Sequence, residues 1–241
     1  MKFTLLIAMM LAAGIAPAQE AEDVKEVDTV QVNALRDPDF KTYRAFVAGL
    51  DAFDKKHTLA PAAALRFLLR PSMPSDSIEG VTIRIAGNET SIGVPLAADG
   101  TFAMPRDQSA LDEDAEIILN RKKGSFRWRP DVHTPEVPAN ARRLGDLRLE
   151  CEVRWAVDRK DVSFFKRTLI TTLGGACRSS RVHVIQLAPR ALAGYRMVAG
   201  ERKVTAPAKA IGPDGMMYVV PLHDATWPDD ALVEFEFAGQ Q

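Results

Sequence analysis

Five short apolar segments, each bounded by glycine, proline or an Asp-Gly pair, run through residues 65–121, and five more of the same kind run through residues 181–237. The first set is LRFLLRP, GVTIRIAG, SIGVPLA, GTFAMP and AEIILNR; the second is RVHVIQLAP, AGYRMVAG, KVTAPAKAI, GMMYVVP and ALVEFEF. Each is short, β-branched or alternating, which fits strands, and the residues between them are those that turns require. A chain punctuated in this way is expected to be mainly β, with antiparallel pairing.

The two sets also share landmarks in order. Pro71 answers to Pro189, Ala86-Gly87 to Ala199-Gly200, Asp99-Gly100 to Asp214-Gly215, Pro105 to Pro221 and Asp114-Ala115 to Asp230-Ala231. The last interval, proline to Asp-Ala, is nine residues in both sets, while earlier ones differ as loops do. The spacing predicts one strand arrangement used twice, over Pro71–Asn120 and Pro189–Phe237. The turn Asp99-Gly100-Thr101-Phe102 resembles that of the transthyretin-like and carboxypeptidase-regulatory-like β-sandwiches of exported proteins. That resemblance implies β-sandwich modules without catalysis.

Around these units the reading is a helix over residues 37–57, a first β unit over 58–138, a strand–helix link over 139–180 and a second β unit over 181–241. In the helix, Phe40, Tyr43, Phe46, Val47, Leu50 and Phe53 recur at spacings of three and four, behind Asp37 or Asp39 as cap. In the link, Leu147, Leu149, Cys151, Val153, Trp155 and Val157 alternate with Arg148, Glu150, Glu152 and Arg154, which predicts a half-buried strand. Residues 161–173 follow as a helix capped by Asp161, with a packing stripe of Val162, Phe165, Leu169 and Leu173 and a left-handed stop at Gly174; the threonines leave a strand open.

The chain begins with Lys2, an apolar run from Phe3 to Ile15 and Ala16-Pro17-Ala18, the pattern of a signal peptide cleaved after residue 18. The run is short for a bilayer span, which needs roughly 18–20 residues. Residues 19–36 read as a flexible leader or an edge strand. The protein is therefore expected in the periplasm or outside the cell, with no transmembrane segment after cleavage. In that oxidising compartment the two cysteines, Cys151 and Cys177, are expected to form a disulfide. A formal net charge of -1 gives no electrostatic argument for nucleic acid.

Chemistry is sparsely encoded. Cys177 as a nucleophile with His133 as base needs a free thiolate, which pairing with Cys151 removes. The histidines are scattered, with His223-Asp224 the one pair to inspect, and the acidic groups in LDEDA and PDDA lack the ligand alternation of a calcium loop. No cofactor or metal signature is present. The candidate binding residues are Arg127, Arg129, Arg142 and Arg143, in a segment where Phe126 and Trp128 alternate with arginines. On a strand the aromatics turn to the core and the arginines outward, toward an anionic glycan, a lipid head group or an acidic envelope protein. The expected function is a non-enzymatic binding or assembly module of the cell envelope; the alternative is a hydrolase whose site is assembled from scattered His, Asp and Cys residues.

Overall fold

A strand leading directly into a helix, then a series of antiparallel strands, is the order of both halves of the chain. The computed structural model describes residues 37–73 and 75–239, so the signal-peptide and leader readings lie outside the described residues. In the first half β1 (Pro38–Thr42) enters α1 (Tyr43–Lys56). There follow β2 (Ala64–Pro71), β3 (Ile83–Ala86), β4 (Ser91–Val94), β5 (Thr101–Phe102), a short α2 (Gln108–Asp112), β6 (Glu116–Lys122) and β7 (Phe126–His133). In the second half β8 (Ala141–Arg143) enters α3 (Leu144–Asp158), and α4 (Phe164–Thr172) comes next. Then come β9 (Ile185–Leu187), β10 (Leu192–Ala199), β11 (Arg202–Thr205), β12 (Met217–Val219) and β13 (Leu232–Phe237).

The expected class holds: the protein is mainly β, with two antiparallel β units. The first unit has sheets ordered β1-β6-β3-β4 and β5-β2-β7; the second has β8-β13-β10-β11 and β9-β12. Replacing β1, β6, β3 and β4 by β8, β13, β10 and β11 converts one four-stranded order into the other. The pair β5-β2 likewise becomes β12-β9, and β7 is the extra strand of the first unit. Both Asp-Gly turns occupy the same topological place, just before β5 and β12. In each, the aspartate Oδ1 accepts the amide N–H two residues on, at 2.9 Å for Asp99 and 3.0 Å for Asp214. Gly100 and Gly215 have φ of 82° and 70°, and a Cβ on either would lie 2.7 Å from backbone atoms of Leu69 or Leu192. Only glycine meets both conditions.

Three expectations are corrected. The segment Leu147–Val157 is not a strand; it lies inside helix α3. At about 100° per residue, the odd-numbered positions fall alternately on opposite sides of a helix. Leu149, Val153 and Val157 enter the core of the first unit with Phe46, Phe67 and Trp128. Leu144, Leu147 and Cys151 enter the core of the second with Tyr195, Tyr218 and Phe235. A helix walled by two cores thus reproduces the alternation of a half-buried strand. Against α1 the approach is close, since a Cβ on Gly49 would lie 2.6 Å from Val157 Cγ2.

The start of α1 is the second correction. Residues 38–42 are strand, and neither Asp37 nor Asp39 caps the helix. The Tyr43 amide donates instead to Ala115 O at 2.9 Å, and the Leu144 amide at the start of α3 makes the matching bond to Ala231 O at 2.8 Å. A helix continuing from a paired strand finds acceptors for its first amides in the neighbouring chain, so no side-chain cap is needed. The third correction concerns α4, which is helical and ends at Gly174 with a φ of 97°, but starts after Ser163, not at an Asp161 cap. The middle of its expected packing stripe is open to solvent, with Phe165 85% and Leu169 58% exposed, while Val162 and Leu173 are half-buried. Cys151 and Cys177 form a disulfide, with Cys151 on α3 and Cys177 just beyond α4. Among the described residues, no helix is long and apolar enough to cross a membrane.

Candidate anion-binding cleft

The antiparallel register of β2 and β7 sets Leu68 opposite Arg129, Arg70 opposite Arg127 and Arg66 opposite Asp131. Phe67, Leu69, Phe126, Trp128 and Val132 of these strands are buried in the first core. The other face therefore carries a field of arginines. Helix α3 and the β9 segment of the second unit close over part of it and leave a cavity of ≈ 290 Å³. Four guanidinium groups line the cavity, from Arg70, Arg129, Arg142 and Arg154, against the carboxylates of Asp131 and Glu150. Apolar wall is supplied by Leu68, Val184 and Leu187, and Tyr218 also borders it.

Three of the arginines are committed to protein groups. Arg142 Nη2 donates to Glu150 Oε1 at 2.5 Å and to Val132 O at 2.8 Å, while the Val132 amide donates to the same Glu150 oxygen at 2.9 Å. Arg70 Nη1 donates to Ala188 O at 2.8 Å, and Arg154 Nη1 to Ile185 O at 3.1 Å. These last two bonds satisfy carbonyls of β9 and the residue after it; the Arg70 bond ties the second unit to the first, and the Arg154 bond ties α3 to β9. Arg129 differs. The Nε atoms of Arg129 and Arg142 are both buried without a hydrogen-bond partner, but Arg142 is neutralised by Glu150, whereas Arg129 joins no ion pair among the described residues.

The electrostatics follow from burial and like charge. Burial lowers the Arg129 guanidinium to about 10, with Arg154 and Arg127 adding repulsion and Asp158 opposing it. It remains cationic at neutral pH. Burial also lowers Arg70 and Arg154. For Arg142 burial acts the same way and is the largest single influence, but Glu150, Tyr218 and Asp131 together outweigh it and raise the guanidinium. Burial raises Glu150 against the pull of Arg142. At the rim, His133 Nδ1 lies 3.1 Å from Asp131 Oδ1.

Of the four arginines proposed from the sequence, the cleft takes Arg129 and Arg142. Arg127 is exposed and does not line the cavity, whereas Arg129 is half-buried. Arg143 turns away, donating to Leu59 O at 2.7 Å with Asp146 at 3.8 Å. Sequence reasoning missed Arg70 and Arg154. Alternation within LLRP places Arg70 outward, but its neighbour Arg127 follows only from strand register; Arg154 was hidden by the misassigned strand.

Other candidate groups have protein partners. Cys177 sulfur is bonded to Cys151, so it offers no thiolate. Asp224 Oδ1 accepts the Thr226 amide and hydroxyl at 2.9 and 2.7 Å, leaving it occupied beside the exposed His223. Glu113 accepts from Glu89 and Thr90, Asp114 from Arg44 and Asp229 from Arg148. Among the described residues no three His, Cys, Asp or Glu side chains are grouped to hold a metal ion. No protein-family model matches the chain, and neither a curated protein nor a solved structure shows significant similarity to it.

Proposed function

We propose that the protein is an exported, non-enzymatic binding module that holds an anionic group of a cell-envelope partner in the cleft between its two β units. The observation that carries this reading is Arg129, a half-buried guanidinium with an unpartnered Nε beside two other arginines. An uncompensated buried charge is costly, and an oxyanion relieves it by accepting the forked N–H groups. The cavity of ≈ 290 Å³ lies at the small end of ligand sites, which span about 300–1,000 Å³. It suits a charged head group: a phosphate ester, a sulfate or a carboxylate displayed by a glycan, a lipid or an acidic protein. The apolar wall packs the carbon skeleton next to that group.

Export to the periplasm or beyond is part of this reading, supported by the signal-peptide pattern over residues 1–18 and by the disulfide. We also read the matched strand orders as an internal repeat, each copy a β-sandwich module of the non-catalytic kind that the Asp-Gly turn resembles. Titration calorimetry with glycerol phosphate, sulfate and acetate tests the cleft. The reading expects saturable binding by at least one oxyanion, weakened by added salt and abolished in Arg129→Gln at unchanged melting temperature. Binding unaltered by that substitution contradicts it.

A further inference from the structure

Helix α4 turns its apolar side to solvent. Phe164 is 67%, Phe165 85% and Leu169 58% exposed, and Thr168 and Thr172 are exposed on the same helical side. The hydroxyls of Thr171 and Thr172 donate back to the carbonyls of Arg167 and Thr168 at 2.9 and 3.0 Å, so they can leave water without losing a partner. Exposed Arg159 and Lys160 shortly precede the helix in sequence, and Lys166 and Arg167 lie on it, with the Arg167 guanidinium 5.9 Å from the Phe164 ring centre. The only acid within residues 159–175 is Asp161, and Lys41 holds it at 2.9 Å. A chain of net charge -1 thus gathers cations in the segment that carries the most exposed aromatics among the described residues. The projection has a fixed base, because the segment leaves α3 at Asp158 and returns to it through the Cys151–Cys177 bond.

We infer that α4 docks on the anionic surface of a lipid bilayer, with Phe164, Phe165 and Leu169 entering the acyl boundary and the four cations at the level of the phosphates. Exposed aromatics rimmed by Lys and Arg on a short helix are the chemistry that such an interface selects. A second copy is the poorer occupant, since pairing two such faces sets their cations against each other. The inference stands apart from the anion cleft, and the test separates the two.

Co-sedimentation with vesicles of phosphatidylcholine alone, and of equimolar phosphatidylcholine and phosphatidylglycerol, measures docking. Wild type and Arg129→Gln are expected to bind the mixed vesicles alike and to leave the neutral ones. Phe164→Ser with Phe165→Ser is expected to lower partitioning on the order of tenfold, as is Lys160→Ser with Lys166→Ser. In a folded Phe165→Trp variant, tryptophan emission should shift to the blue on adding mixed vesicles, which reads insertion without removing the apolar face. No binding to mixed vesicles overturns the inference. So does binding insensitive to the Phe substitutions with no shift for Phe165→Trp, or lipid-independent self-association that the Phe substitutions abolish.

Discussion

Arg142 and Glu150 form a buried ion pair at the seam between the two β units, with Nη2 and Oε1 at 2.5 Å and Val132 bonded to both. Removing one partner leaves the other charge buried alone. Glu150→Ala or Arg142→Ala is expected to cost about 3–5 kcal/mol, and replacing both by apolar residues of similar volume much less. A double-mutant cycle in urea measures the difference.

Trp128 and Arg127 are sequence neighbours on opposite faces of β7. Trp128 sits 5.5 Å from the Phe46 ring and 6.0 Å from that of Phe102 in the first core, whereas Arg127 is exposed. Trp128→Ala should lower stability by about 3–5 kcal/mol. Arg127→Ser should stay within about 0.5 kcal/mol. Denaturant midpoints check the contrast.

The disulfide joins residues 26 apart. Closing such a loop contributes roughly 3–4 kcal/mol in the chain-entropy model, a large share of a typical 5–15 kcal/mol. Thiol titration of the denatured, unreduced protein is expected to find no free thiol. Reduction should lower the unfolding midpoint accordingly.

Asp99 supplies a pH dependence. The Thr101 hydroxyl and amide bond its carboxylate and hold it below the usual range. Because the folded value is the lower one, the stabilisation is present above the unfolded value of about 4 and is lost as pH falls through the folded one. Asp99→Asn keeps the turn chemistry. Its stability, followed by thermal melts down to acid pH, should fall less steeply than that of the wild type.

The β units were legible because glycine, proline and Asp-Gly mark strand ends locally: the Ala86-Gly87 and Ala199-Gly200 pairs close the β3–β4 and β10–β11 hairpins. Helix α3 was not, because Leu149 and Cys151 serve different cores and the sequence carries no sign of which. Half of the cleft was legible for a similar reason. Arg129 and Arg142 lie in one basic stretch, but Arg70 and Arg154 reach them through strand pairing and helix packing across long separations. The exposure of Phe165 was also hidden, since a helical stripe looks the same whether or not an element covers it.

The most direct measurement of the central claim is anomalous diffraction from crystals of the wild type and of Arg129→Gln soaked in selenate. A selenium peak in the wild-type cleft within hydrogen-bonding distance of Arg129, lost in the variant, is the predicted result. An empty wild-type cleft with selenate bound elsewhere on the surface would contradict it.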